Sequence, residues 1–229
     1  MSNKKGKFIV IDGIDGSGKA TQTKLLLDRF EKEGYKTATI DFPQYYKNFF
    51  GKMTGRYLSG EFGKADEVSP YLASVLYALD RWESKDYILK KINEGRIVVC
   101  DRYASANMIH QGGKIKNKKK RDELLKWLAE MEFDVLKIPK PDLIIFLDVP
   151  HNIGQKMVGK KDKRAYIKGK KKDIHEKDKN HLINARKQAL ELAKKNKNWI
   201  KINCLKDGKI MSVEDVSRLV WEKIEAYLK

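Results

Sequence analysis

Between Phe8 and Thr23 the chain reads FIVIDGIDGSGKATQT. Gly13, Gly16 and Gly18 let backbone N–H groups converge on one anion without Cβ clashes. Lys19 adds a mobile point charge that follows a phosphate during transfer. An apolar, β-branched run precedes the glycines and an apolar-periodic run follows them, so the order is strand, turn, helix. The helix directs its positive end to the same place. This chemistry predicts a bound nucleoside triphosphate, held by Gly13, Asp15, Gly16, Ser17, Gly18, Lys19, Ala20 and Thr21. A glycine-rich turn with a surface lysine explains neither the three clustered glycines nor their place after a strand.

One position departs from the usual loop. A Ser or Thr commonly follows the lysine and gives its hydroxyl to Mg²⁺. Here Ala20 follows, with Thr21 next. In this the loop resembles those of adenylate kinases, which implies a metal held by phosphates and waters. Mg²⁺ keeps several waters readily.

Other residues able to do chemistry come in short groups: Asp41-Phe42-Pro43-Gln44-Tyr45, then Tyr77 to Glu83 (YALDRWE), then Asp101-Arg102-Tyr103, Asn107 and His110. The elements that must position them follow from periodicity. Residues 7–12, 36–41, 96–101, 142–148 and 198–203 are short, apolar and rich in β-branched or aromatic side chains. Helical periodicity occupies 19–33, 70–93, 121–136, 174–195 and 213–228. Pro70 after Ser69 starts one helix and Ser212 caps the last. Alternating strands and helices predict an α/β fold, a doubly wound five-stranded parallel sheet flanked by helices. Ligands then sit at the carboxyl ends of the strands, just after residues 12, 41 and 101.

These motifs, in this order and spacing, resemble the thymidylate kinases, the P-loop nucleoside monophosphate kinases that phosphorylate dTMP. The loop with its inner Asp15, the Phe42-Pro43 pair, the helical DRW, the strand-ending DRY and PDLIIFLDV (141–149) carry the resemblance, which runs from about 8 to 225. It implies transfer of the γ-phosphate of ATP to dTMP, with Mg²⁺. Arg102 then holds the acceptor phosphate with its planar fork. Asp101 helps organise Mg²⁺, through water, or the arginines, and Tyr77 stacks on thymine. Arg81 donates to thymine O4, Asn107 meets the other polar edge, and Asp15 binds the sugar 3′-OH and nearby arginines. Phe42 and Pro43 edge the nucleotide site, so the dTMP set is Asp15, Phe42, Pro43, Tyr77, Arg81, Arg102, Asn107 and His110.

Two positions differ from the family pattern. Tyr45 stands where an arginine often reaches the acceptor phosphate, which leaves Arg102, Arg81 or Lys47 for that task. His110 stands where Tyr or Phe often lies near the sugar 2′ carbon; an imidazole there fills the space a ribose 2′-OH needs. The family also closes a lid over ATP after the fourth strand, and some members keep a catalytic arginine in the phosphate loop. Gly16 and Ser17 occupy that place here, so the cation is expected from the lid, residues 155–175. Lys160, Lys161, Lys163 and Arg164 are its candidates, Arg164 foremost. Catalytic roles fall to Lys19, Arg102, Arg164 and Asp101.

The 229 residues suit a single thymidylate-kinase-like domain, 1–229. The net charge of +18 is concentrated: residues 156–179 hold eleven Lys/Arg against four Asp/Glu. A lid meeting a polyanion accounts for part of that segment. KIKNKKKR (114–121) reads as solvated surface. Nucleic-acid binding accounts for the charge but not for DRY and DRW, and is not expected. Another nucleotide or deoxynucleoside kinase of the same fold is the nearer alternative. The MSNKKGK start does not read as a signal peptide and no apolar run approaches membrane-spanning length. Cys100 and Cys204 lie in apolar strand-like runs and read as buried thiols of a cytoplasmic protein. The family forms homodimers through apolar helix faces, and residues 70–93 are the candidate face.

Overall fold

The computed structural model describes residues 6–64, 67–158 and 179–228. Five strands form a parallel sheet: β1 (Lys7–Asp12), β2 (Thr37–Asp41), β3 (Ile97–Asp101), β4 (Leu143–Asp148) and β5 (Trp199–Asn203). Their spatial order is β2-β3-β1-β4-β5. All five were expected from the sequence within one residue at each end. The parallel strands demand helical crossovers, and these cover both faces.

Alternation along β1 divides the core. Phe8 and Val10 face one layer, with Ile88, Ile92 and Ile109 from helices; Ile9 and Ile11 face the other, with Leu26, Phe30, Val220 and Ile224. Helices α1 (Lys19–Lys32) and α9 (Val213–Leu228) build the second layer. The first takes α4 (Lys85–Asn93), α5 (Ala104–His110) and α8 (Lys179–Lys195). β1 therefore runs buried through the middle and delivers its C-terminal turn to the edge of both layers.

Between β2 and α4 lie α2 (Phe49–Leu58) and α3 (Pro70–Glu83). The sequence read 70–93 as one helix. Ser84 divides it, its N–H closing a tight turn on Arg81 O at 3.1 Å. Helix α6 (Lys118–Ala129) begins three residues before the expected start because Asn117 caps it, accepting from Lys120 N at 3.1 Å. It then widens into a π-turn, Glu130–Val135, where a regular helix was expected. Helix α7 (His151–Val158) follows β4, so 155–158 of the expected lid are helical. The rest of that lid lies among 159–178, outside the described residues. A small hairpin, β6 (Leu205–Lys206) and β7 (Lys209–Ile210), precedes α9.

Candidate active site

The phosphate loop joins β1 to α1, and its fit is set by glycines. Gly16 has φ +79°, and a Cβ there would meet Gly154 O of α7 at 2.0 Å. Gly154 in turn leaves no room beside Asp15 O, 2.5 Å from its own Cβ position. The loop thus lies backbone-to-backbone against α7, and no arginine fits at position 16. Helix α1 starts at Gly18 with no side-chain cap and no acid in its first turn. Its first N–H groups remain available to an anion. Lys19 folds back across the loop, donating to Gly13 O and Ile14 O at 3.0 Å each. Burial, then the nearby Arg102, push Lys19 down to about 8, against the pull of Asp15, Asp101 and Asp12.

Asp12, the last residue of β1, is fully buried. It accepts from Gly13 N at 2.8 Å and from Ser105 Oγ at 2.6 Å. It thereby ties the loop's entry to α5. Burial raises its pKa, with Arg102, Ser105 and Lys19 opposing.

At the end of β3, Arg102 adopts a left-handed backbone, φ 65°, a conformation that strains a residue with a Cβ. Its N–H still bonds Ile11 O at 3.0 Å, which locks it beside β1. The guanidinium bonds Asp15 of the phosphate loop through Nη2 and meets His110 Nε2 at 3.0 Å through Nη1. Burial would lower its pKa, but Asp15, Asp12 and Asp101 outweigh that and raise it. Asp101 lines the same space. Burial raises its pKa, while Lys19 and Arg102 draw it back.

A cavity of about 280 Å³ opens beside these groups. It is lined by Asp15, Gly16, Gly18, Lys19 and Ala20 from the loop and first turn, and by Asp101 and Arg102. Phe42, Pro43, Tyr45, Tyr77, Arg81, Asn107 and His110 also line it, together with Asp41, Leu58, Tyr103, Ala106 and Gln111, so all eight residues of the predicted acceptor set line one cavity. Gly13, Ser17 and Thr21 are not among its lining residues; Thr21 is exposed on the first turn of α1. Lys47 is exposed and does not line the cavity. Lys160, Lys161, Lys163 and Arg164 lie outside the described residues.

Arg81 is only 2% exposed, and its guanidinium is occupied on one side. Glu132 accepts from Nε at 2.7 Å and from Nη2 at 2.6 Å. Among the described residues no partner engages Nη1. Asn107 donates through Nδ2 to Ser74 O at 3.1 Å and to Glu132 Oε1 at 3.0 Å. Both amide hydrogens are thus used, and Oδ1 keeps its accepting capacity. Of the three residues expected at the acceptor phosphate, Arg102 lines the cavity beside the loop, Arg81 has two of its nitrogens committed to Glu132, and Lys47 lies outside the lining.

Several residues take supporting roles that the sequence reading did not assign. Asp80, the acid of DRW, accepts from Gln44 N at 3.0 Å and Asn48 Nδ2 at 2.9 Å. It therefore holds the turn that presents Phe42, Pro43 and Tyr45. His181 of α8 stacks on His110, ring centroids 5.4 Å apart and planes 19° from parallel. Tyr103 packs beneath Phe42 at 5.8 Å. For Glu132 a signal existed: it follows Leu124 and Leu128 at four-residue spacing, so it falls on their buried face.

The thymidylate kinase family model matches residues 11–216. The chain belongs to the thymidylate kinase family. It is 36% identical over 148 residues to a probable thymidylate kinase of Pyrococcus horikoshii, covering 64% of this chain and 66% of that protein. Thymidylate kinases of Plasmodium falciparum (32% over 152 residues, 66% of each chain) and Homo sapiens (29% over 149, 65% of this chain and 64% of the other) also match. The matched stretch thus spans a little under two thirds of these relatives' length. A solved thymidylate kinase from Candida albicans superposes with a TM-score of 0.71 over 97% of this chain and 92% of the other, at 23% identity. That likeness bears on the fold alone, and it agrees with the five-stranded thymidylate kinase architecture. Among the described residues no helix is long and apolar enough to cross a membrane.

Proposed function

We propose that this chain transfers the γ-phosphate of ATP to dTMP, giving dTDP and ADP. One observation carries the reading: the buried Arg81 and Asn107, whose bonds to Glu132 and Ser74 leave over one donor nitrogen and one acceptor oxygen, line the same cavity as Arg102 and the phosphate loop. Thymine offers O4 as acceptor and N3–H as donor, which matches that pair. Cytosine offers the reverse. Membership of the thymidylate kinase family and the names of the relatives support the same reaction.

Tyr77 supplies the stacking face, and base–aromatic stacking contributes about 1–3 kcal/mol. Arg102 grips the acceptor phosphate, held in place by Asp15 and His110. The N-terminus of α1 and Lys19 hold the β- and γ-phosphates of ATP. The acceptor oxygen is already ionised near neutral pH, so no strong general base is needed. Catalysis is in-line positioning, charge neutralisation and exclusion of water. His110 fills the room a 2′-OH would take, so ribonucleotide acceptors react poorly.

Bound Mg²⁺ would supply charge neutralisation at the ATP phosphates. Ala20 offers it no hydroxyl, Asp12 and Asp15 are engaged by Ser105 and Arg102, and Asp101 is the carboxylate suited to reach it through water. The lid, 155–175, supplies the transferring-phosphate cation, foremost Arg164; the clash at Gly16 supports placing that charge outside the loop. The chain acts as one domain in the cytoplasm, as a homodimer through the 70–93 face, where Leu72 is exposed. An acceptor panel of nucleoside monophosphates and nucleosides, read by ADP release, tests the reading. dTMP is expected to be the preferred acceptor, and no turnover with it would overturn the proposal.

A further inference from the structure

Glu132 touches neither the phosphate loop nor Arg102, and it is not a cavity-lining residue. Its side chain is nonetheless buried, 1% exposed, in the one stretch where α6 opens into a π-turn. Such turns re-aim side chains that a regular helix would leave elsewhere, frequently at functional sites. The carboxylate accepts three hydrogen bonds, two from Arg81 and one from Asn107.

The three bonds have a directional consequence. A carboxylate only accepts, so it takes Nε and Nη2 of Arg81 and turns the third nitrogen elsewhere. It also takes Nδ2 of Asn107, and Ser74 O takes that amide's second hydrogen. An amide with its NH₂ group committed on one side presents its oxygen on the other. Were Asn107 to flip, its oxygen would face Glu132 and Ser74 O, two acceptors with no hydrogen to give.

We propose that Glu132 is the positioning residue that fixes the hydrogen-bond polarity of the base pocket, donor at Arg81 beside acceptor at Asn107. It thereby selects pyrimidines with an imide edge over those with an amino edge. This rests on the reading of the cavity as a dTMP site. Glu132 itself never meets the base; it acts through two residues that do.

Glu132→Gln isolates the polarity. The glutamine keeps the shape, but its NH₂ must face a donor at either place: Arg81 Nε where Oε2 stood, or Arg81 Nη2 and Asn107 Nδ2 where Oε1 stood. In the first case Arg81 loses its two-point clamp and its aim at the base; in the second Asn107 turns its oxygen to the glutamine and its NH₂ toward the base. The ratio of kcat/KM for dTMP to that for dCMP is expected to fall at least about tenfold, with the KM for ATP held within about twofold. Glu132→Asp keeps an acceptor-only group, and the ratio is expected to stay near that of the unaltered protein even where overall efficiency drops. Equal losses on dTMP and dCMP in E132Q would mean that Glu132 only supports the fold, and would overturn the inference.

Should E132Q fail to fold, the unaltered protein still decides. N3-methyl-dTMP lacks the hydrogen that Asn107 Oδ1 would accept, and it is expected to bind at least about tenfold more weakly than dTMP. Equal binding of the two would overturn the assigned polarity. Failure of the unaltered protein to bind or phosphorylate dTMP would instead remove the acceptor reading on which the inference rests.

Discussion

Arg102 Nη1 lies 3.0 Å from His110 Nε2. Arginine stays protonated, so it donates and Nε2 accepts. The ring proton of neutral His110 therefore sits on Nδ1, which faces His181 Nε2 at 3.2 Å. The guanidinium proposed to grip the acceptor phosphate is thus oriented from two sides, by Asp15 in the phosphate loop and by an imidazole on α5. This explains how a residue strained at φ 65° holds one orientation.

His110 is held well below its ordinary 6.5, first by burial, then by Arg102 and His181. In the unfolded chain it binds a proton as pH falls through about 6.5. The folded state resists that proton, so stability is present above this range and is lost as pH falls below it. The melting temperature is therefore expected to drop between pH 7 and pH 5, and less steeply in His110→Gln. Parallel curves for the two proteins would contradict this assignment.

Lys19 has the same sense of shift at higher pH. With its folded-state value near 8, it is largely neutral at pH 9 in the free protein. Triphosphate binding brings negative charge beside it and restores the proton. Calorimetry at pH 9 in buffers of different ionisation enthalpy is expected to show uptake of roughly one proton per ATP bound. Uptake is expected to vanish in Lys19→Met; uptake unchanged in that variant would assign the proton elsewhere.

The two loop glycines with positive φ make a controlled pair. Gly18→Ala meets nothing within 4 Å, so only backbone strain opposes it, about 1 kcal/mol. Gly16→Ala adds a 2.0 Å collision with Gly154 O to a similar φ. It is expected to lower the melting temperature by several degrees more than Gly18→Ala and to weaken ATP binding. Equal melting temperatures would mean that α7 yields to the loop.

Arg102→Lys keeps the charge and loses the planar fork. The kcat/KM for dTMP is expected to fall about 100-fold or more, roughly 3 kcal/mol, with little change in ATP affinity. Steady-state kinetics with each substrate varied separates the two. A comparable loss on the ATP side would move Arg102 to the donor phosphates.

Much of this arrangement was legible in the chain. The five strands announced themselves as short β-branched runs, and the residues trailing β1, β2 and β3 had to share one sheet edge. What escaped was set by single contacts. The break at Ser84 and the π-turn after Ala129 leave hydrophobic periodicity nearly intact, so pattern alone does not reveal them. The hairpin of β6 and β7 turns on Asp207-Gly208, a two-residue signal that lies between strands too short to show alternation. Arg81 was read as a base contact, while the carboxylate that orients it lies 51 residues away in sequence. Glu132 stands on an apolar helical face, where its charge was the available clue, and its partners emerge only once the chain is folded.

The most direct test puts dTMP and dCMP in one reaction at equal concentration with limiting ATP and Mg²⁺, and separates the diphosphate products. The donor and acceptor in the base pocket predict dTDP in large excess over dCDP. Equal amounts of the two, or ADP formed with neither, would contradict the account.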